Sequence, residues 1–113
     1  MYTISEAARQ TGIPASTIRF YDKNGLLPGI RRTSAGNRLF SEADILELEE
    51  IAALLSCGFS IREMKEYTAA SPARRAEMLT QRKEQLYVDI QAIQTSISLL
   101  DTRIAEQRQL SVQ

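Results

Sequence analysis

The chain has 113 residues, of which 43% are hydrophobic and 25% are charged, and this composition is typical of a globular domain rather than a disordered chain. A single cysteine and the absence of histidine exclude an internal disulfide and disfavour a structural zinc site or a cysteine–histidine catalytic pair. No apolar run is long enough to cross a membrane and the first residues do not resemble a signal peptide, so we expect a cytoplasmic protein without metal or cofactor.

The formal net charge is zero, but the charges are unevenly distributed along the chain. Residues 1–40 carry six basic and two acidic side chains, which gives a net charge of +4. Residues 41–72 have a net charge of −5, and residues 73–113 have a net charge of +1. The positive charge of residues 1–40 predicts contact with nucleic acid. The net charge of the whole chain conceals this feature.

Two short helices are predicted at the start of the chain. The segment Thr3–Glu6 has the pattern of a capping box, and Gly12 ends the helix that follows. Pro14 fits just inside the start of a second helix that runs roughly over residues 15–23, and Asn24-Gly25 ends it. Two short helices joined by a tight turn that contains glycine indicate a helix-turn-helix.

Residues 26–40 show no helical period and predict a small β-hairpin. Its turn is placed at residues 34–37, between two short extended pieces. We expect Leu39 and Phe40 to anchor the hairpin partly to the core. The hairpin is rich in arginine: Arg31, Arg32 and Arg38.

Two further helices follow, each opened by a capping-box pattern, at Ser41–Asp44 and at Ser60–Glu63. Gly58 is expected to end the first of them, and Ser71-Pro72 to end the second and cap the next helix. The side chains predicted to face the core are Ile45, Leu48, Ile51, Ala52, Leu55, Ile61, Met64 and Tyr67.

The last third of the chain predicts one long helix with a heptad repeat. Two interlocking series, each spaced by seven residues, place apolar side chains at alternating intervals of three and four: Leu79, Leu86, Ile93 and Leu100, and Ile90, Ile97 and Ile104. A lone helix cannot bury such a stripe, so a partner helix is implied. The alternative is that the stripe packs back onto the first part of the chain, which so long a helix would extend beyond.

Four segments resemble the MerR family. They are residues 2–8, residues 17–27 with Thr17-Ile18-Arg19-Phe20-Tyr21-Asp22 and Gly25-Leu26-Leu27, residues 32–40, and residues 58–61. The order of helix, helix, arginine-rich hairpin, helix, helix and long coiled coil is also similar to that family. The fold class is therefore predicted as mainly all-α, a winged helix-turn-helix with a small β-hairpin wing followed by a long coiled-coil helix.

The resemblance implies a DNA-binding domain over residues 1–71 and a coiled-coil dimerisation helix over residues 72–113. It implies a homodimer through an antiparallel coiled coil that binds a pseudo-palindromic site on double-stranded promoter DNA. The family's usual mechanism distorts an over-long promoter spacer so that RNA polymerase engages both promoter elements. Asn37 and Phe40 depart from the family pattern, which often has tyrosine at both positions. No separate ligand-binding domain is expected within these residues, and the sequence names no inducer.

A recognition helix presents side chains of its first half to base edges and cations to phosphates. Arg19 suits a phosphate or a guanine edge, Phe20 suits either the surface or the core, and Ile18 is expected to pack inside. Arg62 lies in the first turn of its helix, where backbone N–H groups attract phosphate. The alternative is that these arginines are solvated surface charges without a binding partner. The residues predicted to contact DNA are Ser16, Thr17, Arg19, Phe20, Tyr21, Arg31, Arg32, Gly36, Asn37, Arg38 and Arg62.

Cys57 allows two interpretations. It could act as a thiol sensor, but the partial negative charge at a helix C-terminus raises the pKa of a thiol and so favours a buried, unreactive cysteine. Metal-sensing members of the MerR family place cysteines at the start of the dimerisation helix and beyond it. The resemblance does not support metal sensing of that type, because no cysteine follows Cys57.

Three other classes of function compete with a transcription regulator. A DNA-binding accessory or architectural module would share the basic DNA-binding domain but would not need the long helix. A purely structural coiled-coil protein would not need the basic hairpin. An enzyme is disfavoured, because the sequence has no histidine and shows no paired catalytic carboxylates or nucleotide-binding loop.

Overall fold

The computed structural model describes residues 1–112. Its elements in chain order are α1 (Ile4–Thr11), α2 (Ala15–Lys23), β1 (Arg31–Arg32), β2 (Arg38–Leu39), α3 (Glu42–Ser56), α4 (Ile61–Ala69) and α5 (Pro72–Ser111). The predicted mainly helical fold, with one small hairpin and a long final helix, is confirmed. Gln113, the last residue of the predicted dimerisation helix, lies outside the described residues.

The three predicted capping boxes are all confirmed. The hydroxyl oxygens of Thr3, Ser41 and Ser60 accept hydrogen bonds from the backbone N–H three residues later, at 3.2, 3.1 and 3.0 Å. In return, the carboxylate at that later position accepts the backbone N–H of the cap residue. Each such cap stabilises its helix by roughly 0.5–2 kcal/mol. These caps therefore fix where α1, α3 and α4 begin.

The boundaries of α2 agree with the prediction except at Pro14. We expected Pro14 inside the helix, but it is the N-cap residue, with an extended ψ of 143°. Its side chain carries no acceptor, so α2 begins without a side-chain cap. Asn24 ends the helix and Gly25 follows with φ of +77°, a left-handed conformation that favours glycine.

The hairpin is antiparallel, with Arg31 opposite Leu39 and Arg32 opposite Arg38. Its base is extended by a β-bridge in which the backbone of Phe40 exchanges hydrogen bonds with that of Tyr2, at 2.7 and 2.8 Å. The Phe40 side chain is completely buried. The predicted anchoring of the hairpin at its second strand is therefore confirmed.

The chain divides into two compact units, and the first comprises Met1–Arg75. Its buried side chains come from four helices, from the loops between them and from the base of the hairpin: Ala7, Ile13, Ile18, Tyr21, Leu26, Leu27, Phe40, Ile45, Leu48, Ile51, Phe59, Met64 and Tyr67. The inward orientation predicted for Ile45, Leu48, Ile51, Met64 and Tyr67 is confirmed, whereas Ala52, Leu55 and Ile61 are only half-buried.

Arg75, the last residue of the first unit, holds the end of α4. Its Nε donates to the carbonyl of Tyr67 at 2.9 Å and its Nη2 donates to the carbonyl of Thr68 at 3.0 Å. Its guanidinium also lies 5.0 Å from the centre of the Tyr67 ring, within range of a cation–π interaction. Since the last carbonyls of a helix lack partners inside it, Arg75 satisfies acceptors that α4 leaves open.

The second unit begins at Ala76, and most of it is the remainder of α5. All seven apolar residues of the predicted heptad stripe are exposed, by between 37% at Leu79 and 58% at Ile93 and Leu100. Within residues 1–112, no helix has the length and apolar character needed to cross a membrane.

Candidate nucleic-acid interface

One face of α2 is exposed and carries two cations and an aromatic ring. Ser16, Arg19, Phe20 and Lys23 recur at helical spacing and are all exposed. Phe20 is 50% exposed although it is the most apolar of the four. The exposed face of α2 therefore offers a partner both positive charge and an aromatic ring.

Two adjoining hollows lie between this face of α2 and the hairpin. The larger, here called the helix hollow, has a volume of about 630 Å³ and is lined by Ser16, Arg19, Phe20, Asp22, Lys23, Arg32 and Arg38. The smaller, here called the hairpin hollow, has a volume of about 350 Å³ and is lined by Thr3, Ile4, Arg19, Thr33, Gly36, Asn37, Arg38 and Leu39. Arg19 and Arg38 line both hollows, so their side chains form a shared wall.

The charge of the helix hollow is strongly positive. Four of its lining side chains are cations and one, Asp22, is an anion, which leaves a net charge of +3. The Asp22 carboxylate accepts hydrogen bonds from Arg38 at 2.7 Å and from Arg32 at 3.1 Å. Such a concentration of guanidinium groups matches the geometry of a phosphate, which accepts paired N–H donors.

The first turn of α2 adds backbone donors to the same surface. Pro14 provides no side-chain cap, and the N–H groups of Thr17 and Ile18 are the first to bond to a backbone carbonyl, that of Pro14, at 2.9 and 3.1 Å. The N–H groups of Ala15 and Ser16 precede them and point toward the start of the helix. Such amides, together with the helix dipole, favour an anion.

The structure brings together most of the predicted DNA-contacting residues. The members that line one or both hollows are Ser16, Arg19, Phe20, Arg32, Gly36, Asn37 and Arg38. Arg31 is exposed on the hairpin but lines neither hollow, and Thr17 is half-buried on α2. Arg62 is exposed in the first turn of α4, separate from both hollows.

The prediction for Tyr21 needs correction. We predicted that its side chain would face DNA, but only 6% of the residue is exposed and it belongs to the core. Burial raises the pKa of its hydroxyl above the ordinary value. The reason is helical geometry: Tyr21 lies three residues after Ile18, so both project from the inner face of α2.

Sequence reasoning missed several residues that line the hollows. Asp22 and Lys23 belong to the helix hollow, and Thr3, Ile4 and Thr33 belong to the hairpin hollow. A signal for Lys23 was available, because it lies two helical turns after Ser16 on the same face. No local pattern indicates that Thr3 and Ile4 lie beside the hairpin, since the Tyr2–Phe40 bridge that places them joins distant parts of the chain.

Cys57 is also a correction. We favoured a buried cysteine, but Cys57 is exposed at the end of α3. It follows Ala53 by four residues, so it continues the outer face of α3 rather than the inner face that carries Ile51. Among residues 1–112, no group of three or more histidine, cysteine, aspartate or glutamate side chains is arranged to hold a metal ion.

The elements and the hollows define the class: a winged helix-turn-helix with a basic face shared by its second helix and its wing. The sequence model of the MerR HTH family regulatory proteins matches residues 2–71. The chain therefore belongs to the MerR family, as the sequence motifs predicted.

Curated relatives are named as transcriptional regulators. The chain is 42% identical over 66 residues to an uncharacterized HTH-type transcriptional regulator of Haemophilus influenzae, a match covering 58% of this chain and 49% of that protein. It is 32% identical over 112 residues to the HTH-type transcriptional regulator YfmP of Bacillus subtilis, covering 89% of this chain and 79% of that protein. The chain thus spans about half the length of several of these relatives.

Solved structures extend the similarity to the long helix. HiNmlR, a MerR family regulator lacking the sensor domain and bound to promoter DNA, is 30% identical with a TM-score of 0.71, over 92% of this chain and 87% of that chain. The N-terminus of MtaN, the Bacillus subtilis multidrug transporter activator, is 30% identical with a TM-score of 0.81, over 92% and 98% of the two chains.

Proposed function

We propose that this protein is a sequence-specific transcription regulator of the MerR type. It acts as a homodimer on a pseudo-palindromic promoter site and distorts the promoter spacer. The observation that carries the proposal is the pair of basic hollows that share Arg19 and Arg38 as a wall between α2 and the hairpin. A structural relative bound to promoter DNA supports the same use of this face.

The DNA-binding part, residues 1–71, is here called the head, and each of its elements has a distinct role in this proposal. The exposed face of α2 enters the major groove, where Arg19 and Phe20 approach base edges. The hairpin lies along the phosphate backbone, where Arg31, Arg32 and Asn37 supply charge and hydrogen bonds. The first turn of α4, with Arg62, and the uncapped first turn of α2 bind further phosphates. Phosphate contacts set the position of the head, and base contacts set its specificity.

The long helix holds two heads at a fixed separation. Residues 1–71 form the DNA-binding part and residues 72–113 the dimerisation part. The exposed apolar stripe of α5 packs antiparallel against the stripe of a second copy: Leu79, Leu86, Ile90, Ile93, Ile97, Leu100 and Ile104. Bending DNA over a site costs roughly 1–6 kcal/mol, and phosphate contacts from two heads and two wings offset that cost.

The biological setting follows from this activity. A regulator that reshapes a promoter acts together with RNA polymerase and works where the chromosome lies, which we propose is the cytoplasm. In this proposal it binds DNA without turning over a substrate. A DNA-binding accessory module is the second candidate, since the basic face alone would serve it equally.

In vitro selection from a random-sequence duplex library tests the proposal. We expect enrichment of a pseudo-palindromic motif, whose duplex is then compared with a scrambled duplex by fluorescence anisotropy over a salt series. Arg19→Ala should weaken binding to the selected duplex by about fivefold or more, because one base contact contributes roughly 1–3 kcal/mol.

Arg9→Ala is the matched control. Arg9 is exposed in the last turn of α1 and lines neither hollow, so the substitution makes the same charge change outside the proposed site. We expect it to leave binding of the selected duplex almost unchanged. Equal binding to selected and scrambled duplexes would favour the accessory module, and no enrichment with no binding at low salt would refute DNA recognition.

A further inference from the structure

A single carboxylate connects the recognition helix to both strands of the hairpin. Oδ2 of Asp22, on α2, accepts from Nε of Arg38 on β2 at 2.7 Å and from Nη2 of Arg32 on β1 at 3.1 Å. Arg32 also donates through Nη1 to the carbonyl of Gly36 in the turn, at 3.0 Å. The chain of contacts therefore runs from α2 through both strands to the tip of the hairpin.

The two arginines are held differently. The Arg38 side chain is 20% exposed and that of Asp22 is 17% exposed, so this pair is largely shielded from solvent. The Arg32 side chain is 49% exposed. A half-exposed ion pair contributes little to stability, whereas a shielded, charge-assisted hydrogen bond at 2.7 Å holds its geometry better.

The bond through Nε determines which edge of the Arg38 guanidinium remains available. A guanidinium has five N–H donors in a planar fork, and Nε supplies one of them. With Nε on Asp22, the edge formed by the two Nη atoms is left for another acceptor. Arg38 lines both hollows, which lie between α2 and the hairpin, so it belongs to the surface where an anion would contact both elements.

Asp22 also has an electrostatic cost for the site. It is the one anion among the side chains that line the helix hollow, and a carboxylate repels an approaching phosphate. A hairpin with two-residue strands has little intrinsic rigidity, so its orientation relative to α2 depends on such contacts. Asp22 thus weakens the attraction of the helix hollow for phosphate, but it is well placed to fix the orientation of the hairpin relative to α2.

We propose that Asp22 is a positioning residue for DNA recognition. It holds the hairpin against α2 and presents the Nη edge of Arg38 to a phosphate, while Arg32 exchanges its bond to Asp22 for a second phosphate. Through this arrangement the carboxylate lowers the affinity for DNA of unrelated sequence, raises the affinity for the selected site, and so raises the discrimination between sequences. The inference rests on the proposed DNA-binding function.

The test compares Asp22→Asn with the wild type on the selected duplex and on its scrambled version. The amide keeps an acceptor oxygen but removes the charge, so the bonds to Arg32 and Arg38 weaken. We expect affinity for the scrambled duplex to stay equal or to rise, and affinity for the selected duplex to fall. The ratio of the two affinities should drop by about tenfold, within the range of one mispositioned contact.

Two variants separate positioning from simple charge removal. Asp22→Glu restores the carboxylate, and we expect it to recover most of the affinity ratio. Glu49→Gln removes the same charge from the exposed outer face of α3 and should leave the ratio unchanged. Thermal melting followed by circular dichroism checks that each variant is folded.

A second measurement needs no DNA. In the wild type, the Nε–H of Arg38 should give a distinct NMR signal that exchanges slowly with water, because it is hydrogen-bonded and shielded. In Asp22→Asn that signal should exchange faster, and in Asp22→Glu it should be recovered.

The outcomes distinguish this inference from the proposed function. Loss of the affinity ratio in Asp22→Asn, with recovery in Asp22→Glu, supports positioning. Affinities that rise by the same factor for both duplexes would overturn positioning and leave only through-space repulsion. A wild type that does not distinguish the two duplexes contradicts the proposed function itself and removes this inference with it.

Discussion

Replacing Ile93 and Ile97 by aspartate tests whether the stripe of α5 is a dimer interface. The two residues are 58% and 54% exposed, so about half of each side chain is left for a partner to cover. Full burial of such a side chain stabilises by roughly 1.5–3 kcal/mol, and the uncovered half therefore by about 1 kcal/mol. A symmetric dimer contains four of these side chains, which together contribute about 4 kcal/mol.

This free energy converts into a large change in association. Since about 1.4 kcal/mol corresponds to a factor of ten, the dissociation constant of the dimer should rise by about a thousandfold. The introduced carboxylates add a desolvation cost, so this factor is a lower bound. Sedimentation equilibrium over a range of protein concentrations measures the constant directly.

The matched control places the same two charges on another face of the helix. Thr95 and Thr102 are exposed, and their hydroxyls donate to carbonyls four residues earlier in α5. Thr95→Asp with Thr102→Asp should leave the dimer intact. If the Ile93→Asp, Ile97→Asp variant dimerises as tightly as this control, the stripe is not the interface.

Two further predictions concern the stability of the first unit. Phe40→Ala should lower the free energy of unfolding by about 3–5 kcal/mol, because Phe40 is completely buried. Phe20→Ala, at a half-exposed position, should change it by about 0.5 kcal/mol or less. Urea denaturation compares the two variants, and equal losses would contradict the assigned core. The hydrogen bonds that the Glu6 carboxylate accepts from the backbone N–H and the side chain of Thr3 lower the pKa of Glu6 below its ordinary value of 4.5. A carboxyl whose pKa is lowered in the folded state stabilises the fold at pH values above its unfolded-state pKa, and this stabilisation is lost as the pH falls through the folded-state pKa. On acidification, the urea midpoint should therefore fall less steeply in Glu6→Gln than in the wild type. Identical slopes would refute the contribution of this cap.

Local signals predicted most of the fold. The three capping boxes were recognised because cap and carboxylate are three residues apart, so the interaction is visible within one turn of sequence. The hairpin was recognised from its turn and from the loss of helical period. The end of α2 at Asn24 and Gly25 was likewise a local matter of backbone conformation.

What sequence reasoning missed lies in contacts between distant residues. Asp22 was recognised only as part of a segment that resembles the MerR family and was given no role of its own, although it bonds to arginines 10 and 16 residues later. Tyr21 was assigned to the surface because its residue type suits DNA, although helical spacing from Ile18 places it inside. Cys57 was assigned to the core on its chemical character, although its spacing from Ala53 places it outside. In the last two cases geometry was the better guide than residue type.

The bridge between Tyr2 and Phe40 has a practical consequence for laboratory work on this protein. Because the backbone of Tyr2 is paired with the base of the hairpin, the chain enters the head at the rim of the hairpin hollow, which Thr3 and Ile4 line. A purification tag fused ahead of Met1 would therefore emerge beside the surface that we propose contacts DNA. An acidic tag would compete with phosphate there and a polyhistidine tag would add its own charge, so binding constants should be compared before and after the tag is cleaved.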